Sequence, residues 1–256
     1  MDFISAIILS AVEGLTEFLP VSSTGHLILA SRLLNITQTD FVKSFEIFIQ
    51  LGAISSVVFL YFKDLIDPKK WPPILIAFIP SAIIGLVFYK FIKSFLLGSS
   101  EVVVASLFVG GFILIAVEYK NLGKKEVIDS FEKINYKQAL IIGIAQSFSV
   151  IPGTSRAAAT IIGGMLAGLN RKTAVEFSFI LAVPTMLGAT MLDLIQSYKN
   201  FSTSNLQILA VGFIASFVVA VFAIKFLLKF VKNHTFVSFG IYRIAAAIIF
   251  WFFVLR

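Results

Sequence analysis

The 256-residue chain is 58% hydrophobic and only 14% charged, whereas a soluble domain carries about 25% charged residues. At a mean hydropathy of +0.96 one soluble core does not bury so much apolar surface, so lipid is the solvent for most of the chain. With no cysteine there is no disulfide framework, thiol nucleophile or Cys-based metal site, and the net charge of +7 reads as basic loops against anionic headgroups, with no nucleic-acid partner.

The N-terminus, "MDFISAIIL", has an acid where a signal peptide has a basic region, and its apolar run contains Glu13 and Glu17, so it does not read as a cleavable signal. Residues 3–19 and 21–34 are too short and too polar to span well, and Pro20 separates them. Helix, break and helix describe a re-entrant hairpin, which membranes tolerate only inside protein or beside a wet cavity. Glu13 and Glu17 are four apart and share a helix face. Acids at membrane depth are costly and mark function by default, the alternative being a structural pair with a distant Arg or Lys. After Pro20 comes "VSSTGH". A helix opening here takes Ser22 or Ser23 as its N-cap, and its free N–H groups attract phosphate. Ser22, Ser23 and Thr24 are therefore candidate phosphate ligands. His26, three residues past Ser23, is a candidate base or nucleophile. For each, the plain reading is a Ser cap or a structural His.

Six later stretches reach the roughly 20 apolar residues that a hydrocarbon core requires: about 42–62, 73–92, 101–118, 174–196, 206–229 and 237–255. The polar loop 119–135 divides the chain into halves of about 1–118 and 136–256, within a single integral membrane domain spanning 1–256. The second half opens like the first: 138–151 and 154–169 form another short pair around "IPGTSRAAAT". Setting Pro20 against Pro152 places Ser23 opposite Ser155, and Glu46 of "FEIFIQLGA" falls near Glu176 of "VEFSFILAVP". This reads as an internal repeat. Three spans per half turn the second half upside down, which gives an inverted-topology repeat. The expected fold is an all-α polytopic membrane protein with six transmembrane helices and two re-entrant hairpins. Lys and Arg concentrate in 63–71, 119–137, 170–173 and 225–232, which makes that side cytoplasmic and leaves both termini outside.

In the second hairpin, Ser155 sits at a helix start and repeats the anion seat. Arg156 adds a planar, permanently charged fork for phosphate oxygens, and Thr160 follows it on the same face. Arg156 also suits neutralising Glu13 or Glu17 across the repeat. Arg243, within the last span, either pairs with a core acid or assists phosphate binding; His234 has no assigned role.

"EGLTEFLPVSSTGH" and "PGTSRAAATIIGGML", with "FEIFIQLG", "EFSFILAVP" and "IYR", closely resemble the bacterial undecaprenyl-diphosphate phosphatases, the bacitracin-resistance family. One position departs: the family usually has Ser after the Arg, where this chain has Ala157. The resemblance implies hydrolysis of undecaprenyl diphosphate to undecaprenyl phosphate and inorganic phosphate, usually with a divalent cation. That activity recycles the lipid carrier of peptidoglycan synthesis in the bacterial inner membrane and confers antibiotic resistance; the resemblance favours a site opening to the outer face. Glu13, Glu17, Ser23 and His26 match the first motif, and Ser155, Arg156 and Thr160 the second. The expected partners are the lipid diphosphate and membrane lipid, with a homodimer also admitted. In the expected mechanism Arg156, Thr160 and the two helix starts hold the diphosphate, and Glu13 and Glu17 bind Mg²⁺ or Ca²⁺. Ser23 attacks with His26 as base, or His26 attacks directly. Glu17 alternatively orients His26. The rival class is a lipid-phosphate flippase, which needs the anion seats but no nucleophile; a structural scaffold leaves the polar hairpins unexplained.

Overall fold

The structure, a computed structural model, describes residues 1–88, 99–120, 128–197 and 206–255, with side chains left aside at 192–197 and 254–255. The expected end of a span at 89–92 and loop segments 93–98, 121–127 and 198–205 lie outside the described residues. Among those described there is no strand, only a single bridge between Ile128 and Leu169.

Helices α1 (Phe3–Thr16) and α2 (Ser23–Leu33) form the first hairpin. They are followed by α3 (Asp40–Leu60), α4 (Trp71–Val87) and α5 (Ser100–Tyr119). In the second half, α6 (Tyr136–Ser147) and α7 (Arg156–Leu166) form the other hairpin. Then come α8 (Arg171–Ser197), α9 (Leu206–Asn233) and α10 (Val237–Phe250). Local chemistry sets several starts. The side chains of Asp2, Thr39 and Ser99 accept from the backbone N–H groups of Ser5, Val42 and Val102, and Asn135 with Gln138 builds a capping box.

Among the described residues five helical stretches are long and apolar enough to cross a membrane: Asp40–Leu60, Pro68–Val87, Ser100–Tyr119, Arg171–Met191 and Leu206–Asn233. The chain is thus a multi-pass membrane protein. The expected sixth span at 237–255 is shorter as regular helix: α10 has 14 residues and continues into a π-helical turn, Trp251–Leu255.

The hairpin helices dock on the opposite half of the chain. α1 packs against α9, and α6 against α4. Both contacts rely on glycine. A Cβ on Gly14 would stand 2.5 Å from the Ser216 carbonyl, and one on Gly143 would meet the Ala77 carbonyl. Side-chain-free crossings of this kind bring backbones together where lipid supplies no hydrophobic drive. α3 lies on α9, α8 on α4, and α5 on α10. At one end, Glu118 takes two bonds from Arg171 Nε and one of 2.6 Å from its Nη2, and also accepts from the Phe236 N–H. That cluster ties the end of α5 to the starts of α8 and α10. Large apolar residues on the outer faces, such as Leu86, Phe222 and Phe226, stay exposed for lipid.

Candidate active site

The two helix breaks meet. α1 ends at Thr16, and the chain turns through Pro20 to Ser22, whose φ is 74°. α6 runs through a 3-10 turn at Phe148–Val150 and past Pro152 to Ser155, at φ 71°. A positive φ is uncommon outside glycine. Two serines held there, each just before a helix, turn both α2 and α7 with their N-termini toward the same space. Ser155 caps conventionally, its hydroxyl accepting from the Ala158 N–H at 3.2 Å. Ser22 makes no side-chain cap bond, unlike the cap expected there.

The space is a cavity of about 240 Å³, lined by Glu17, Ser22, Ser23 and Thr24 from the first break and Ser149, Ile151, Pro152, Gly153, Ser155 and Arg156 from the second. Gln50 of α3 and Met186 and Ala189 of α8 complete the wall. Six predicted residues thus face one cavity, drawn from positions more than a hundred residues apart.

Glu17 is the joint between the halves. Its Oε2 accepts from Ser23 Oγ at 2.6 Å, and its Oε1 accepts from Arg156 Nη2 at 2.9 Å. Both side chains of that ion pair are about nine-tenths buried (9% and 10% exposed). Arg156 Nη1 donates to the Ser178 carbonyl at 3.1 Å, and the guanidinium lies 5.6 Å from the centroid of the Phe18 ring, within cation–π range. Phe18 is itself fixed edge-on by Phe179, 5.5 Å between centroids. Arg156 Nε is buried with no hydrogen-bond partner among the described residues. A buried donor without a partner is costly, and it leaves the guanidinium of this cavity-lining residue with unspent hydrogen-bonding capacity.

Three predicted residues stand outside the lining. Thr160 is fully buried behind Arg156: its hydroxyl donates back to the Arg156 carbonyl at 3.0 Å and shares a 2.6 Å bond with Ser178 Oγ. It therefore braces the residue that holds Arg156. His26 is half-buried, its Nδ1 2.8 Å from the Ser22 carbonyl and its Nε2 2.6 Å from the Tyr242 hydroxyl. Nδ1 therefore carries the proton that goes to Ser22, and Nε2 accepts from Tyr242; neither nitrogen is bonded to Ser23. Glu13 is 0% exposed, and neither of its oxygens has a partner among the described residues. Glu17, Glu46 and Arg156 are the charged groups that act on it. Ala157, at the position of the family's second serine, is buried in the core and does not line the cavity.

The family model described as "Bacitracin resistance protein BacA" matches residues 6–249. An undecaprenyl-diphosphatase of Sulfurihydrogenibium sp. (strain YO3AOP1) is 53% identical over 251 residues, 98% of this chain and 99% of that one. Similar proteins of that name occur in Persephonella marina (53% over the whole of both chains) and Aquifex aeolicus (51%, covering 96% of each). The chain belongs to the BacA family.

Within this BacA-family chain, sequence reasoning missed Ser178, Gln50, Ser149, Met186 and Tyr242. The available signal was a polar residue within an apolar span, as with Ser178 and Gln50, but several neighbours in those spans carry the same signal. Arg243 takes a set of partners that the sequence does not suggest. Among the described residues it forms no ion pair with an acid and bonds backbone carbonyls at Leu107, Pro20, Thr154, Ser106 and Gly153, the last of which lines the cavity.

Proposed function

We propose that this chain is a membrane phosphatase that hydrolyses undecaprenyl diphosphate to undecaprenyl phosphate and inorganic phosphate, recycling the lipid carrier of peptidoglycan synthesis and conferring bacitracin resistance. The observation that carries the reading is the hydroxyl of Ser23 held on the Glu17 carboxylate at 2.6 Å, inside a cavity that also holds Arg156 and two helix starts. A flippase needs an anion seat but no hydroxyl paired with a base.

Phosphoryl transfer is chiefly positioning and charge stabilisation. The diphosphate takes the open Arg156 Nε and the N–H groups at the starts of α2 and α7, with Ser22, Thr24 and Ser155 beside it. Ser23 Oγ attacks the terminal phosphorus while its proton passes to Glu17. The bond from phosphorus to the bridging oxygen breaks, and undecaprenyl phosphate departs. Water then attacks the phosphoserine, the proton held by Glu17 returns to Ser23 Oγ as its bond to phosphorus breaks, and the hydrogens of the water leave with the inorganic phosphate. Where the sequence suggested His26 as base, Glu17 holds that position; His26 orients the Ser22 carbonyl, and Thr160 braces Arg156 through Ser178.

A divalent cation, Mg²⁺ or Ca²⁺, fits the chemistry of Glu13 and Glu17. Hard cations favour carboxylate oxygen, and Glu13 brings two buried oxygens without a hydrogen-bond partner. No group of three His, Cys, Asp or Glu occurs among the described residues, so oxygens of substrate or water complete the set. When bound, the cation neutralises phosphate charge.

The proposed topology has six spans, α10 with its π turn being the sixth, and two re-entrant hairpins in an inverted repeat within the bacterial inner membrane. The twin positive-φ serines and the reciprocal docking of α1 on α9 and α6 on α4 support a two-fold relation. The basic segments lie in the cytoplasm and the site opens to the outer face. Because the chain has no cysteine, single introduced cysteines labelled from one side of the membrane test this directly. Light scattering in detergent decides between monomer and homodimer.

The decisive experiment measures phosphate release from undecaprenyl diphosphate by purified wild type, Ser23→Ala and Arg156→Ala, with acid trapping of a phosphoenzyme. Loss of turnover and of the trapped species in folded Ser23→Ala supports the mechanism. Full activity in that variant discards Ser23 as nucleophile, and a folded wild type without turnover discards the enzyme.

A further inference from the structure

We propose that Arg243 is a positioning residue: a buried guanidinium clamp that holds the two helix breaks in register so that their helix starts converge on one phosphate. The proposal rests on the assignment of the cavity to catalysis.

Arg243 is 0% exposed, and among the described residues no carboxylate forms an ion pair with it. All five of its N–H groups are used, each on a backbone carbonyl. Nη1 donates to Pro20 at 3.2 Å and to Thr154 at 2.9 Å. Nη2 donates to Gly153 and to Ser106, both at 3.0 Å, and Nε to Leu107 at 3.3 Å. One side chain on α10 thereby joins the first break, the second break and α5.

The acceptors are not arbitrary. Thr154 immediately precedes Ser155, and Pro20 is two residues before Ser22; these are the two serines at positive φ. Such backbone persists only where its surroundings over-determine it, and a helix break leaves carbonyls that need donors inside the membrane. Arg243 fixes the peptide planes that lead into α2 and α7, and so sets where both anion-binding N-termini point. Gly153, one of its acceptors, lines the cavity, so the unneutralised charge sits directly behind the wall and adds to the field on a phosphate. The neighbouring residue serves the same hairpin, since the Tyr242 hydroxyl meets His26 Nε2 at 2.6 Å. The fork is fitted closely, for a Cβ on Gly110 would collide with Nη2. Lysine offers one point charge with three donors and cannot reach five carbonyls in a plane.

The test compares Arg243→Lys, Gly110→Ala, Arg156→Ala and wild type for kcat and KM on undecaprenyl diphosphate, per folded molecule, the folded fraction being taken from size-exclusion in detergent. A misalignment of about 1 Å costs on the order of 10²-fold in rate, so folded Arg243→Lys loses at least about thirtyfold in kcat while KM stays within about threefold. Gly110→Ala, which crowds the fork without removing it, shows the same split at about fivefold. A folded Arg243→Lys with kcat within about threefold of wild type overturns the proposal. So does activity that falls only in step with the folded fraction, because Arg243 then merely stabilises. If Arg243→Lys does not fold, Gly110→Ala decides by the same split, an unchanged kcat overturning the clamp. Arg156→Ala reports separately on the cavity: full activity there refutes the site assignment, whatever Arg243 shows.

Discussion

Replacing Glu17 by Gln separates a catalytic carboxylate from a structural ion pair. The Glu17 carboxylate serves two donors, Ser23 Oγ at 2.6 Å and Arg156 Nη2 at 2.9 Å. Gln has one oxygen; kept on the Arg156 guanidinium, it leaves the amide N–H₂ to donate to Ser23 Oγ, so the hydroxyl loses its acceptor and its base. Removing one partner of a buried pair costs about 3–5 kcal/mol, and the retained oxygen places Glu17→Gln near the lower end. Taking away both charges in Glu17→Leu/Arg156→Met is close to neutral for stability, because apolar replacement of a buried pair removes the desolvation cost with the attraction. Loss of a general base, by contrast, lowers the rate about 10²–10⁴-fold. Thermal unfolding in detergent and phosphate release from undecaprenyl diphosphate therefore diverge: the double variant regains stability and stays inactive. If folded Glu17→Gln keeps its kcat within about threefold of wild type, Glu17 is not the base. If the double variant recovers stability and turnover together, the pair is structural and the mechanism is wrong.

Thr160→Val removes the 2.6 Å bond to Ser178 Oγ and should lower stability by about 1–2 kcal/mol, with kcat reduced about tenfold through a slacker Arg156; unfolding curves and initial rates read both. Tyr242→Phe strips the donor from His26 Nε2, and with His26 in an orienting role the rate falls less than about tenfold, far short of a Ser23 substitution; equal losses would restore His26 as the base. Gly14→Ala drives a methyl to 2.5 Å from the Ser216 carbonyl, so α1 must part from α9 at a cost of about 1–3 kcal/mol, seen as a lower Tm. Dialysis against EDTA abolishes turnover, and Mg²⁺ or Ca²⁺ restores it in wild type but not in Glu13→Gln; undiminished turnover in EDTA removes the metal from Glu13 and Glu17.

Much of this was legible because it is local. Acids, hydroxyls and an arginine in otherwise apolar hairpins stand out, and Glu17, Ser23, Thr24, Ser155 and Arg156 do line one cavity. The helix pattern gave five of the spans directly. What was not legible depends on packing between distant elements. Ser178 and Gln50 are each one of several polar residues in α8 and α3, and no spacing rule singles them out for a site that the two helix breaks create. His26 shows the limit of the i, i+3 argument. The spacing puts it on the Ser23 face, but its Nδ1 folds back onto the Ser22 carbonyl one turn earlier, and α10 supplies Tyr242 to the other nitrogen.

The two buried arginines show how one side-chain type takes opposite tasks. Arg156 is held by one exchangeable carboxylate, one carbonyl and an aromatic face, and keeps Nε open. In the proposed mechanism a diphosphate, which carries more charge than Glu17, competes for it. Arg243 has no acid to lose and no open donor; three of its five bonds are to backbone that the helix breaks have exposed, and the other two are to carbonyls of α5. Substrate cannot recruit it without undoing both breaks. A search by sequence for cation–acid pairs finds the first arrangement and overlooks the second, since carbonyls freed by broken helices leave no side-chain pattern. The same breaks that create the anion seats also create the acceptors for the clamp, so seat and clamp form or fail together.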